Sequence, residues 1–108
     1  MKLNSCDISP YSKIGSGLTI YHSVGIVVGN VTIGKNLKLF QNVTIGSVKD
    51  LTIGDNAELF SGCCVLANIG DNSKVGANAV VLKDVPLNST AVGSPARIIT
   101  NNQKKLLV

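Results

Sequence analysis

The stretch IGKNLKLFQNVTIG, Ile33 to Gly46, decides the architecture. Ile33, Leu39 and Ile45 stand six residues apart, and Leu37 and Val43 each follow the preceding aliphatic by four. An α-helix repeats its faces every ~3.6 residues, so this period is not helical. Short strands with a corner every six residues satisfy it. Each unit then turns one large and one small side chain inward. Three units close a triangular coil, and identical coils stack at the strand spacing of about 4.8 Å.

The same count runs outward in both directions. Towards the N-terminus it falls on Ile8, Ile14, Ile20 and Ile26. Towards the C-terminus it falls on Ile53, Leu59 and Val65, then on Ile69, Val75, Val81 and Leu87. Between these blocks the step slips to seven (Ile26 to Ile33), eight (Ile45 to Ile53) and four (Val65 to Ile69). The eight-residue slip is expected to bulge outward at Ser47 to Leu51. The small inward positions are read as Val24, Leu37, Val43, Ala57, Cys63, Ser73, Ala79, Val85 and Ala91. Gly follows the aliphatic in IGSG, IGKN, IGDN and VGAN, and Asn and Gly recur where a turn needs positive φ. A β-sandwich of short strands is the alternative, but it spaces its turns by about 8–12 residues without one fixed phase. The expected fold is therefore all-β: a single-stranded parallel β-helix of four to five coils. Such a stack is quasi-one-dimensional, each coil being buried only by its neighbours.

The bulk composition fits one small domain spanning residues 1–108, with repeats over about 8–92 and a capping tail over about 93–108. A chain of 108 residues has a thin core and needs added support. Three cysteines, two of them adjacent at Cys63 and Cys64, do not suggest a disulfide framework. One histidine and scattered acids do not make a zinc site. Association between chains remains as the support. The net charge of +4 is spread from Lys2 to Lys105 with no dense block and no tryptophan, which argues against nucleic acid. No apolar run is long enough to span a bilayer, so no membrane role and a cytoplasmic location are expected.

His22, in YHSVGIVVG, is the only histidine. From the residues alone it is open to three readings: a surface residue on a turn, a packed core residue, or a catalytic base. Cys63 sits at a small inward position and is expected to pack as a small apolar residue, with Cys64 facing out.

The hexads, together with DISPYSKIGSG, YHSVGIVVG, VGANAVVLKDVP and VGSPARII, resemble the hexapeptide-repeat acyltransferases, and among them the serine acetyltransferase-like family. The resemblance runs from about Asp7 to Ile99 and implies a left-handed coil. It implies acetyl-CoA-dependent O-acetyl transfer, no metal, and a homotrimer with its active sites at subunit interfaces. It places His22 as general base and Asp7, fifteen residues upstream, as the group that orients the imidazole. With coils of eighteen residues, Asp7 is expected under Gly25. For acetyl-CoA the resemblance points to Gly46 and Ser47 near the thioester. Ser61, Gly62, Gly76 and Ala77 fall along the pantetheine arm, and Lys74, Lys83, Pro95, Ala96 and Arg97 near the nucleotide phosphates.

Two places depart from that family. Tyr21 stands where it has an acidic residue that holds the amino acid. The segment IGSVKDLTIG is shorter than its acceptor loop and lacks an Arg-His pair, leaving Lys49 as the nearby cation. The acceptor hydroxyl expected on this basis is that of a sugar or polysaccharide ahead of serine. A non-catalytic β-solenoid scaffold is the competing reading.

Overall fold

The computed structural model describes residues 2–3, 6–46 and 50–99. Its strands form a three-sided parallel solenoid. The first side stacks Cys6–Ile8, Val27–Val28, Thr44–Ile45, Cys64–Val65 and Val80–Val81. The second stacks Lys13–Ile14, Val31–Ile33 and Leu51–Ile53, and continues as single bridges from Ile53 to Ile69 and from Ile69 to Val85. The third stacks Thr19–Ile20, Lys38–Leu39, Glu58–Leu59, Lys74–Val75 and Thr90–Val92. All pairings between successive coils are parallel. Antiparallel strands cover the two ends: Lys2–Leu3 pairs with Cys6–Ile8, and Arg97–Ile99 pairs with Thr90–Val92. Each cap shields one side of the prism, while Lys13–Ile14 and Thr19–Ile20 have no strand on their outer edge among the described residues.

Alternation within each strand sends one residue inward and its neighbour out. The inward ranks are Ile8, Val28, Ile45, Val65 and Val81 on the first side, and Ile14, Ile33, Ile53, Ile69 and Val85 on the second. On the third side they are Ile20, Leu39, Leu59, Val75 and Ala91. From Val28 onward these side chains are 3% exposed or less. The core is a continuous column built one coil at a time.

The register corrects the sequence reading in four places. Ile26 is fully buried, but it occupies a small-residue rank with Val43, Cys63 and Ala79; Val28 holds the large position. Val24, expected inside, is 61% exposed. Val85 and Ala91, read as small positions, lie in the large ranks, and Leu87 is 63% exposed. Leu51, placed in an outward bulge, is buried at 5% exposure. Residues 47–49 of that bulge, with Ser47 and Lys49, lie outside the described residues, as does the tail beyond Ile99.

The four-residue step from Val65 to Ile69 recurs from Val81 to Val85 and has a physical cause. In these coils the second side contracts from a three-residue strand to one bridging residue. Side chains then supply the hydrogen bonds the lost strand would have made. Asn68 Oδ1 accepts from the Thr52 N–H at 2.9 Å, and Asp84 Oδ1 accepts from the Asn68 N–H at 3.0 Å. Polar backbone groups at a corner need such partners.

The corner between the second and third sides is uniform. Gly17, Asn36, Asn56, Asn72 and Asn88 all take positive φ, from 54° to 82°. Asn36 Nδ2 donates to Asn56 Oδ1 and Asn56 Nδ2 to Asn72 Oδ1, each at 3.1 Å. Asp55 and Asp71 accept from the backbone N–H of Lys35 and Asp55 at 2.8 and 2.7 Å. Beneath it Ser73, fully buried, donates to the Pro86 carbonyl at 2.6 Å and accepts from the Ser89 N–H at 3.1 Å.

Candidate active site

His22 lies at the corner where the third side passes to the first side of the next coil. Backbone bonds fix the register there. The Tyr21, Phe40 and Phe60 N–H groups donate to Leu39, Leu59 and Val75, so these three residues share one rank. The Asn42, Gly62 and Asn78 N–H groups donate to Val24, Gln41 and Ser61, so those acceptors share the next rank. No residue separates Phe40 from Gln41 or Phe60 from Ser61. Between Tyr21 and Val24 stand His22 and Ser23. The imidazole is therefore carried on a two-residue insertion that stands out from the prism, and His22 is exposed.

The same insertion corrects the position of Asp7. An eighteen-residue coil places it under Gly25; the two added residues make the first coil twenty long, and Asp7 pairs with Val27. Asp7 is exposed at the start of the first side, five positions past His22 in register. Among the described residues no hydrogen bond or ion pair joins Asp7 to His22.

The other expected site residues divide into three groups. Ser61, Gly62, Gly76 and Ala77 share the His22 corner, in the third and fourth coils. Gly62 has φ 75°, and a Cβ there would collide with the Asn78 side-chain oxygen, so the corner alternates Gly and Asn from coil to coil. Gly46 stands at the opposite edge of the first side, where its N–H donates to Val65 O at 3.0 Å. Lys74 lies on the third side; its ammonium and that of Lys38 each sit 3.4 Å from the Glu58 carboxylate. Lys83 and the turn holding Pro95 are exposed beside the C-terminal end of the first side. There Ala96 N–H donates to Val80 O at 2.8 Å. A single chain thus gathers His22 with part of the pantetheine set and leaves Gly46 and the cations elsewhere.

Sequence reading missed a rank of rings at this corner. Tyr21 stacks on Phe40 with centroids 4.6 Å apart and planes 12° apart, and Phe40 stacks on Phe60 at 5.2 Å and 23°. The signal was present, since each ring directly follows an inward residue of the third side: Ile20, Leu39 or Leu59. Gln41 was missed as well. Its side-chain oxygen is buried without a hydrogen-bond partner among the described residues.

Two concavities lie elsewhere. One of about 380 Å³ is bounded by Thr19, Asn36, Lys38, Asn56 and Glu58 on the third side. Another of about 430 Å³ lies over the contracted second side, by Ile69, Val85 and Leu87. Neither includes His22.

The thiols are poor nucleophile candidates. Burial, and secondarily the neighbouring Cys64, push the Cys63 thiol up to about 12. Burial and then the Asp7 charge raise Cys6. Cys63 is inward and Cys64 half-buried, as alternation requires. Among the described residues no group of His, Cys, Asp and Glu is placed to hold a metal ion, and no helix is long and apolar enough to cross a membrane.

No family model matches the chain. It is 41% identical over 110 residues to the serine acetyltransferase of Helicobacter pylori, an alignment covering 94% of this chain and 64% of that protein. It is 41% identical over 109 residues to the serine acetyltransferase of Bacillus subtilis, covering 93% of this chain and 50% of that one. Among solved structures, a serine acetyltransferase in complex with CoA superposes with TM-score 0.83 at 37% identity, over 88% of this chain and 42% of that one. The soybean serine acetyltransferase apoenzyme gives 0.81 at 39%, over 88% and 43%. The chain spans between about half and two thirds of the length of these curated relatives. A mirror-image coil would not superpose in this way, so the solenoid has the hand of theirs. In sequence and in fold the chain is a hexapeptide-repeat relative of the serine acetyltransferases.

Proposed function

We propose that the chain transfers an acetyl group from acetyl-CoA to an acceptor hydroxyl, with His22 as general base. The observation that carries this reading is the two-residue insertion. It is the one departure in a corner otherwise built to a fixed length, and it holds the only imidazole of the chain. An alcohol is a weak nucleophile at neutral pH. An imidazole, with an ordinary pKa near ~6.5, is suited to remove its proton as the oxygen attacks. The new C–O bond forms at the thioester carbonyl carbon, the C–S bond breaks, and the proton held on His22 passes to the leaving thiolate of CoA. Asp7 is the candidate carboxylate for orienting the imidazole and stabilising the imidazolium, a contact that no hydrogen bond or ion pair makes among the described residues of one chain.

Acetyl-CoA, which the comparisons support as co-substrate, is assigned to the same corner. Ser61, Gly62, Gly76 and Ala77 offer small side chains past which a pantetheine arm approaches the backbone. Gly46 N–H, with Ser47, is the candidate for stabilising the oxyanion. Lys74, Lys83 and the segment Pro95, Ala96 and Arg97 are candidates for the phosphates. Lys74 shares Glu58 with Lys38, so its charge is only partly free for that role.

The His22 corner and Gly46 lie on opposite edges of the first side, and a homotrimer would bring the edges of adjacent copies together. The first side is suited to that contact. Its outward residues are Asp7, Val27, Thr44, Cys64 and Val80, with Asp7 its only charge and Val27 45% exposed. The third side instead turns Thr19, Lys38, Glu58 and Lys74 outward, so three of its outward residues carry charge.

The acceptor is a hydroxyl compound, a sugar or serine. Serine is favoured by the names of the relatives, and a sugar by Tyr21 at the place of the acidic residue. Lys49, the cation the sequence offers for the acceptor, lies outside the described residues. The test is release of free CoA thiol from acetyl-CoA across a panel of acceptors, with calorimetric titration of acetyl-CoA beside it. Heat of binding and acceptor-dependent thiol release are expected. No heat and no release would leave the scaffold reading.

A further inference from the structure

The corner that carries His22 has an unusual chemical make-up. The chain contains four aromatic residues, and Tyr21, Phe40 and Phe60 occupy one rank there. The fold does not demand rings at that rank, since its next member is Gly76. No Asp, Glu, Lys or Arg occurs among residues 21–26, 40–43, 60–63 or 76–79, the four coils of this corner. What it does carry is hydroxyl and amide: Ser23, Gln41, Asn42, Ser61 and Asn78. Tyr21 is 49% exposed, and among the described residues its phenol has no hydrogen-bond partner. Its ring lies flat against Phe40.

A free amino acid brings an ammonium and a carboxylate, and desolvating them without opposite charges is costly; Asp7 and Lys49, the charges assigned to the site, lie outside these four stretches. A pyranose brings neither. It offers an apolar ring face and several hydroxyls, which an aromatic surface with neighbouring amides and hydroxyls accommodates. We propose that Tyr21 is the specificity-determining residue beside His22, its Phe40-backed ring receiving the ring of a saccharide acceptor. The inference rests on the acetyl-transfer reading and names the acceptor class for it. Gln41, in the adjoining rank, has a buried amide oxygen without a partner among the described residues.

The test separates binding from chemistry. Ring-proton saturation transfer by NMR is measured for methyl pyranosides and for L-serine, on the wild-type chain and on its His22→Ala variant. Saturation of the pyranoside ring in both proteins is expected, with no effect on serine. Tyr21→Ala should weaken pyranoside binding about tenfold or more, while Tyr21→Phe, which keeps the stack, loses less. In turnover, Tyr21→Ala should raise KM for the saccharide more than it lowers kcat, and Tyr21→Asp should shift preference towards serine. Serine binding in preference to every pyranoside, no binding of either, or a Tyr21→Ala protein that is folded by circular dichroism and binds pyranosides as wild type would each overturn the proposal. If pyranosides bind through Tyr21 but no acceptor releases thiol, it is the acetyl-transfer reading that fails.

Discussion

Two corners of the prism have the same job and different chemistry. The corner between the second and third sides repeats one solution in every coil: Gly or Asn at positive φ, with an amide ladder and aspartates closing the backbone. Its side chains are spent on one another. The next corner begins with the same economy, alternating Gly25, Asn42, Gly62 and Asn78 at positive φ. It then departs from it with an inserted His22–Ser23, a stack of three rings and an amide oxygen without a partner among the described residues. The first corner shows what the solenoid needs. The second holds what the solenoid does not need, and that excess is where chemistry is to be sought.

The comparison breaks most visibly at His22. His22→Ala is expected to lower turnover by about 10²–10⁴, the usual range for losing a general base, with an unchanged melting curve. A loss of stability comparable to the loss of activity would return His22 to the structural corner. The opposite behaviour is expected in the column that both corners enclose. Leu59 is fully buried, and Leu59→Ala should cost about 2–5 kcal/mol of folding stability. Chemical denaturation measures it directly.

A smaller effect tests the ladder. Asn56 has φ 59°, donates to Asn72 and accepts from Asn36. Asn56→Ala loses both bonds and places a Cβ in the left-handed region without compensation, at about 1–2 kcal/mol. Asn56→Gly loses the bonds but keeps the conformation easy, and should cost less. Equal costs for the two would mean the bonds, and not the backbone geometry, set the corner. Neither change should alter turnover once the protein is folded.

The fold was legible because a step of six, repeated with a second rank four residues later, has few structural solutions. Its phase was less legible, and the errors share a cause. Hydrophobicity marks an inward residue but not which inward rank it fills. Ile26 is as buried as Leu39 and is as large, yet it lies in a rank with Cys63 and Ala79. Counting it as a large position moved the slip from the His22 corner to the segment after Ile26, and so hid the insertion. At the other end Val85 and Leu87 are both apolar, and only the pairing of Val85 with Ile69 shows which one turns inward. The rings were visible as residues, but not as a stack until the register set them above one another. The separation of Gly46 from His22 was not legible at all, because it depends on which edge of the first side each one occupies.

The smallest expected effect concerns the flat side between the two corners. Glu58 stands between Lys38 and Lys74, each 3.4 Å away, with its own side chain 21% exposed and theirs 46% and 52%. Such pairs are partly solvated and screened by salt. Glu58→Gln should therefore change stability by less than about 1 kcal/mol, and by less still at high ionic strength. It also leaves two ammonium groups on one face without their shared carboxylate, so it frees the charge of Lys74. If Lys74 reaches the phosphates of acetyl-CoA, Glu58→Gln should tighten acetyl-CoA binding at low salt, while Lys74→Ala loosens it. Titrations of both variants that match wild type would confine the third side to the same structural role as the Asn corner beside it.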